Sequence, residues 1–266
     1  MALAACATQG DANGGNGLYD PFERVNRATF EFNIALDDAL GKPIALSYRT
    51  AFPKPVRDGI RNVADNLYSP VTFVNDLLQG EFARARITLT RFFINTTAGI
   101  GGIADVAKDI GMPGHREDFG QTLAAWGLGP GPYIVVPFLG PQTTRNLGGR
   151  AVDIGVSPFS YVLAAHDVEW VGIAVTAINA VDQRERLIEA VDGLRKTSLD
   201  FYTAARSSYW QARLAEIHNG RLPPAVPGDD DVDIDIDLDG DELEADPDGP
   251  PPHRRSNDNR IAAKVR

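Results

Sequence analysis

The sequence predicts an all-α body, and three observations lead there. Apolar residues recur at helical spacing from Phe22 to Ile217. Aspartate, serine and proline stand where such runs begin, and glycine stands where several of them end. No segment shows a convincing alternation of apolar and polar residues, which would mark a half-buried strand.

The first helix opens at Asp20-Pro21-Phe22-Glu23, which reads as a capping box with proline at the first helical position. Phe22, Val25, Thr29, Phe32, Leu36 and Ala39 form its apolar stripe, and Pro43 ends the region. Val56, Ile60, Val63 and Leu67 suggest a short second helix between Pro55 and Ser69-Pro70; that pair then reads as the start of a third, closed by Gly80. A fourth runs from about Glu81 to Thr97, with Phe82, Phe92 and Phe93 beside Arg84, Arg86 and Arg91. Two readings fit it: an interfacial helix whose arginines reach for lipid phosphates, or a core helix with a solvated basic edge.

Gly99-Ile100-Gly101-Gly102-Ile103-Ala104 has the spacing of a dinucleotide fingerprint but follows a helix rather than a strand, so it reads as a flexible or close-packed turn. Beyond it the chain is most strongly punctuated from Phe119 to Asp153. Gly127, Gly129, Pro130, Gly131 and Pro132 end the helix carrying Trp126. The apolar run Tyr133-Ile134-Val135-Val136, with Phe138 and Leu139, is too short to span a bilayer and is broken by Pro137. With Trp126 it forms the candidate membrane or lipid-contact segment, the alternative being a buried crossover loop. Gly99, Gly101, Gly102, Gly129 and Gly131 are candidate hinge positions on either side of the intervening segment.

Helix resumes after Asp153, through Pro158 to Ala165, and then from Asp167, a candidate cap. Trp170, Ile173, Val175, Ile178 and Val181 make the next helix the most apolar, yet Asp182 and Arg184 stop it short of the ~20 residues a spanning helix needs. Ser198 reads as the cap of a last helix that carries Phe201, Tyr209 and Trp210 to Gly220.

Charge divides the chain. Before Asp229 there are 23 acidic and 21 basic residues, so this part is nearly neutral and offers no basic field for nucleic acid. Residues 223–266 hold an acidic run and a basic end, a composition that argues for disorder. Asp235, Asp237, Asp239 and Gly240 begin like a calcium loop, but Asp246 stands where glutamate is usual and Pro247 blocks the exiting helix; a solvated acidic tail is the better reading. The single cysteine, Cys6, excludes a disulfide framework. It follows Leu3-Ala4-Ala5, which resembles a lipobox, so two readings stand: an incidental cysteine in an alanine-rich leader, or residues 1–5 as the remnant of a lipoprotein signal, Cys6 as the lipidated residue and residues 6–17 as a tether. No Gly-x-Ser-x-Gly elbow occurs. His115, His166, His218 and His253 lack metal-ligand spacing, so neither a catalytic residue nor a metal or cofactor is assigned, and His115 to Asp118 reads as an exposed loop.

Three ordered blocks resemble the MlaA/VacJ family of outer-membrane phospholipid-transport lipoproteins. They are DPFERVNRATFEFN from Asp20, the stretch from Asn66 to Val106, and Phe119 to Asp153 with its FG.TL, GxGPY, PF.G and G..D elements. The resemblance implies that residues 18–222 form a disc-like helical body embedded in the periplasmic leaflet of the outer membrane, with a polar channel for headgroups. It also implies lipidation at Cys6 and, as partners, phospholipids, an outer-membrane porin trimer and a periplasmic lipid-carrier protein. The function expected is removal of misplaced phospholipid from the outer leaflet, without bond chemistry. The rivals are a soluble helical lipid-binding or scaffolding protein and an esterase with an unrecognised nucleophile.

Overall fold

The computed structural model describes residues 18–220. Cys6, the tether and the acidic tail lie outside that range. Helix α1 spans Glu23–Leu36 and passes through a π-helical turn, Asp37–Gly41, into α2, Lys42–Ala51. Then come α3 (Lys54–Leu78), α4 (Phe82–Thr97), α5 (Val106–Asp109) and α6 (Phe119–Ala125). After a hairpin of β1 (Tyr133–Val136) and β2 (Gly140–Thr143), helices resume as α7 (Thr144–Val156), α8 (Pro158–Ala165), α9 (Glu169–Arg186), α10 (Ile188–Thr197) and α11 (Phe201–Ile217).

The hairpin corrects the expectation that no strand is present. Its register pairs Tyr133 with Thr143 and Val136 with Gly140, and the turn places Phe138 and Gly140 at positive φ. The four-residue strands are too short for an alternating pattern to stand out. Helix α1 covers the free edge of β1. Asn26 donates to the carbonyl of Tyr133 at 3.0 Å and accepts from the N–H of Val135 at 2.8 Å. One heptad on, Asn33 donates to Val136 O at 3.0 Å and accepts from Phe138 N at 2.9 Å. Two side-chain amides thus stand in for a third strand and satisfy an edge that would otherwise be exposed.

Several helix boundaries differ from the expected ones. Asp20 caps nothing; it is buried, accepts from Asn26 at 2.7 Å and from the Tyr202 hydroxyl, and pairs with Arg206 at 3.1 Å. Pro43 opens α2 rather than ending a helix, as its missing N–H permits in a first turn. Ser69-Pro70 sits inside the single 25-residue helix α3, where burial of Val71 and Thr72 overrides the breaker. Asp167 takes positive φ instead of capping α9, and Asp200, not Ser198, caps α11 by accepting from the N–H groups of Tyr202 and Thr203.

The orientation of the helices is the main finding. The predicted apolar stripes are real, but many of their residues face outward: Phe22 just before α1, Val25 and Phe32 on α1, Phe82 and Phe93 on α4, Trp170 and Ile173 on α9 are all exposed. Inward faces carry polar residues instead, such as Asn75 and Asp76 on α3, Thr88 and Asn95 on α4, and Asn146 and Asp153 on α7. Among the described residues, buried polar and charged side chains outnumber buried hydrophobic ones by 18 to 12. That reverses the usual partition. The apolar core that does exist joins Leu18, Phe30, Tyr133, Val135 and Tyr202 around the hairpin.

Asn26 ties this core to the hairpin and is only 1 % exposed. Replacing it with alanine leaves the Tyr133 carbonyl and the Val135 N–H unpaired, at a cost of about 1–3 kcal/mol for each stranded group. Thermal unfolding of Asn26→Ala in detergent should show a clear loss of stability, larger than that of Asn33→Ala, whose bond to Phe138 is exposed.

Candidate functional site

The polar interior is the candidate site, and it is built where α6 meets α7. Gly120 and Gly149 bring the two helices into contact: a Cβ on Gly149 would lie 2.3 Å from the Gly120 nitrogen. No other residue fits there. Asp153, one turn further along α7, accepts from the Phe119 N–H at 3.0 Å and from Asn75 at 3.0 Å. Asn75 in turn accepts from the Thr122 hydroxyl at 2.7 Å, which joins α3 to the same junction. Asp118 caps α6 through the Gln121 N–H at 2.9 Å and receives both Arg213 terminal nitrogens, at 2.6 and 2.7 Å. Burial alone would raise the Asp118 carboxyl, but the Arg213 guanidinium outweighs it and holds the group below the usual carboxylate range.

A second network lies between α3, α4 and the 115–117 segment. Arg84 donates to Glu117 at 2.6 Å, Gln79 donates to the other Glu117 oxygen at 3.0 Å, and His115 Nε2 meets Asp76 at 2.9 Å and Thr88 at 3.2 Å. The expected exposed loop is therefore an anchor from which only Arg116 is exposed, with Glu117 almost wholly enclosed. Burial pushes the Glu117 carboxyl upward, and its bonds to Gln79 and Arg84 limit the rise. Asp76, His115 and Glu117 bring three ligand-type atoms within 4.8 Å of one another. Spacing in the sequence hid that grouping, because Asp76 is 39 residues from His115. Their oxygens already have protein partners, and Arg84 supplies the positive charge that a cation would bring. Nor is this a nucleophile triad: one ring nitrogen faces both the carboxylate and the hydroxyl, whereas a triad uses the two nitrogens separately.

Arg91 binds Asp105 at 2.8 and 2.9 Å, so Arg84 and Arg91 turn inward to carboxylates. The expected solvated basic edge is corrected at Arg84 and Arg91, while Arg86 stays exposed and Phe82 and Phe93 face outward.

The family model described as MlaA lipoprotein matches residues 18–216. The chain belongs to the MlaA lipoprotein family. An intermembrane phospholipid transport system lipoprotein MlaA of Escherichia coli strain K12 is 34 % identical over 84 % of this chain and 87 % of its own. An uncharacterised protein of Rickettsia prowazekii is 34 % identical over 77 % of this chain and 80 % of its own. A solved structure from work on the structural basis for maintenance of bacterial outer membrane lipid asymmetry aligns with a TM-score of 0.66. It is 34 % identical and covers 73 % of this chain and 96 % of that one.

Within this MlaA-family chain, the Phe119 to Asp153 block is the α6 to α7 junction itself. The candidate lipid-contact segment divides on it. Tyr133 and Val135 point into the core and pack against protein; Ile134 and Val136 are half-buried; Trp126, Phe138 and Leu139 are exposed, Phe138 by 77 %. Of the candidate hinge residues, Gly99 is wedged against the carbonyls of Ala104 and Asn95, and Gly102 against the Asn66 side chain, so both sit in a close-packed turn. Gly101 and Gly129 have open space beside them, whereas a Cβ on Gly131 would strike Thr144. Asn26, Asn75, Asp76, Arg145 and Arg213 went unremarked in the sequence. The available signal was polar residues repeating at helical spacing opposite an apolar stripe.

Asp118→Asn keeps the α6 cap but strips Arg213 of its main counter-charge, which should cost roughly 2–3 kcal/mol. Because the folded carboxyl is held low, its contribution is full above about pH 4 and is lost as pH falls through the lowered value. Unfolding measured from pH 7 to pH 2 should therefore show a shallower acid limb in the variant.

Proposed function

We propose that this chain moves phospholipids across the periplasmic leaflet of the outer membrane, removing misplaced phospholipid from the outer leaflet and passing it to a periplasmic carrier. The observation that carries the reading is the reversed partition of the helices, with apolar faces outward and polar faces inward. An outward apolar surface suits lipid tails, and an inward polar one spares a headgroup the cost of entering hydrocarbon. No helix among the described residues is long and apolar enough to cross a membrane; in this reading the helices lie in one leaflet. The E. coli relative is named for intermembrane phospholipid transport, and the aligned structure comes from work on outer-membrane lipid asymmetry; both support this assignment.

In this reading Cys6 carries the lipid anchor, and Trp126, Phe138 and Leu139 dip into the leaflet. Gly129 supplies the pivot of the loop between α6 and β1. The partners are phospholipid, an outer-membrane porin trimer and a periplasmic lipid carrier; nucleic acid is not among them. The passage makes and breaks no bond.

Membrane extraction tests the embedding directly. With Cys6→Ala, the chain should stay in washed membranes at high salt and leave only with detergent, because its exposed helix faces hold it. Release by salt alone would instead favour a soluble helical lipid-binding protein.

A further inference from the structure

Arg145, in the first turn of α7, is only 7 % exposed, and its guanidinium makes no ion pair. Its sole side-chain bond runs from Nη1 to the Leu128 carbonyl at 2.8 Å, while Nε and Nη2 are buried without a partner. Those two nitrogens share one edge of the planar group, the fork that holds two oxygens of a phosphate or carboxylate side by side. Of the charged groups that bear on Arg145, Arg213 carries the same sign, and Asp118, which carries the opposite one, has both oxygens bonded to Arg213. The positive end of the 13-residue helix α7 adds to the local excess. An arginine keeps its proton even when desolvated, so the site holds a fixed buried cation with two donors on one edge left without partners.

We propose that the Nε–Nη2 edge of Arg145 grips the phosphate oxygens of a phospholipid headgroup during passage, an inference that rests on the transport reading above. In this conformation the edge is enclosed. A headgroup reaches it by displacing the loop from Gly127 to Pro132, which is bound to the guanidinium through the Leu128 carbonyl. The same chemistry would accept free phosphate, and the experiment separates the two.

Native mass spectrometry of the full chain in detergent would measure binding of phosphatidylglycerol, of diacylglycerol with the same acyl chains, and of inorganic phosphate. Arg145→Gln should weaken phosphatidylglycerol by about tenfold and leave diacylglycerol unchanged, with Arg145→Lys in between because it keeps the charge but loses the fork. The melting temperature of Arg145→Gln should equal or exceed that of the parent, since an unpaired buried charge has gone; should that variant not fold, the lysine variant gives the comparison. Equal phosphatidylglycerol binding by parent and variants, or equal loss of both lipids, would overturn the assignment while leaving transport standing. Phosphate bound by the parent without phosphatidylglycerol would make the edge a free-anion site and overturn the headgroup assignment. A parent that takes up neither lipid would overturn this inference and the transport reading together.

Discussion

A polar group turned inward, behind a helix face that offers no water, has to find its partner within the chain. That constraint shapes the rest of the structure. It explains why asparagines recur at the contacts that matter: an amide donates and accepts at once, so Asn26 and Asn33 complete the hairpin edge, and Asn75 links Asp153 to Thr122. It also explains why Arg84 and Arg91 of α4 reach carboxylates on neighbouring segments. Had they faced outward, each would have needed solvent or lipid headgroups instead.

Internal pairing of this kind gives a cross-linked scaffold with a polar interior. The junction of α6 and α7 holds the Gly/Pro loop at one end, through Gly120 against Gly149, and the hairpin returns the chain to α1 at the other. Between them lies Arg145, whose Nε and Nη2 the scaffold leaves without hydrogen-bond partners. A conduit needs that asymmetry. Where all groups are paired a headgroup finds no purchase, and where many are unpaired the fold does not hold.

Helix existence was legible from periodicity, as were the broad path of the chain and, through its motifs, the family. Orientation was not. The stripe of Phe22, Val25 and Phe32 is the same pattern whether it faces a core or a lipid phase, since a period fixes a face but not its direction. Long-range polar pairing was hidden for a different reason: Asn26 meets Tyr133 across 107 residues, and residue spacing carries no trace of such a contact. Breakers misled where tertiary packing prevailed, as at Pro70, and caps misled where a carboxylate had a better partner inside, as at Asp20. In each case the local rule lost to a demand set by the interior.

The central claim is that the polar interior conducts phospholipid out of the outer leaflet, and the most direct measurement is the lipid composition of the two outer-membrane leaflets. Cells lacking the chain should accumulate phospholipid in the outer leaflet, and its return should clear it. Unchanged asymmetry in such cells, in a strain with no parallel pathway, would contradict the account.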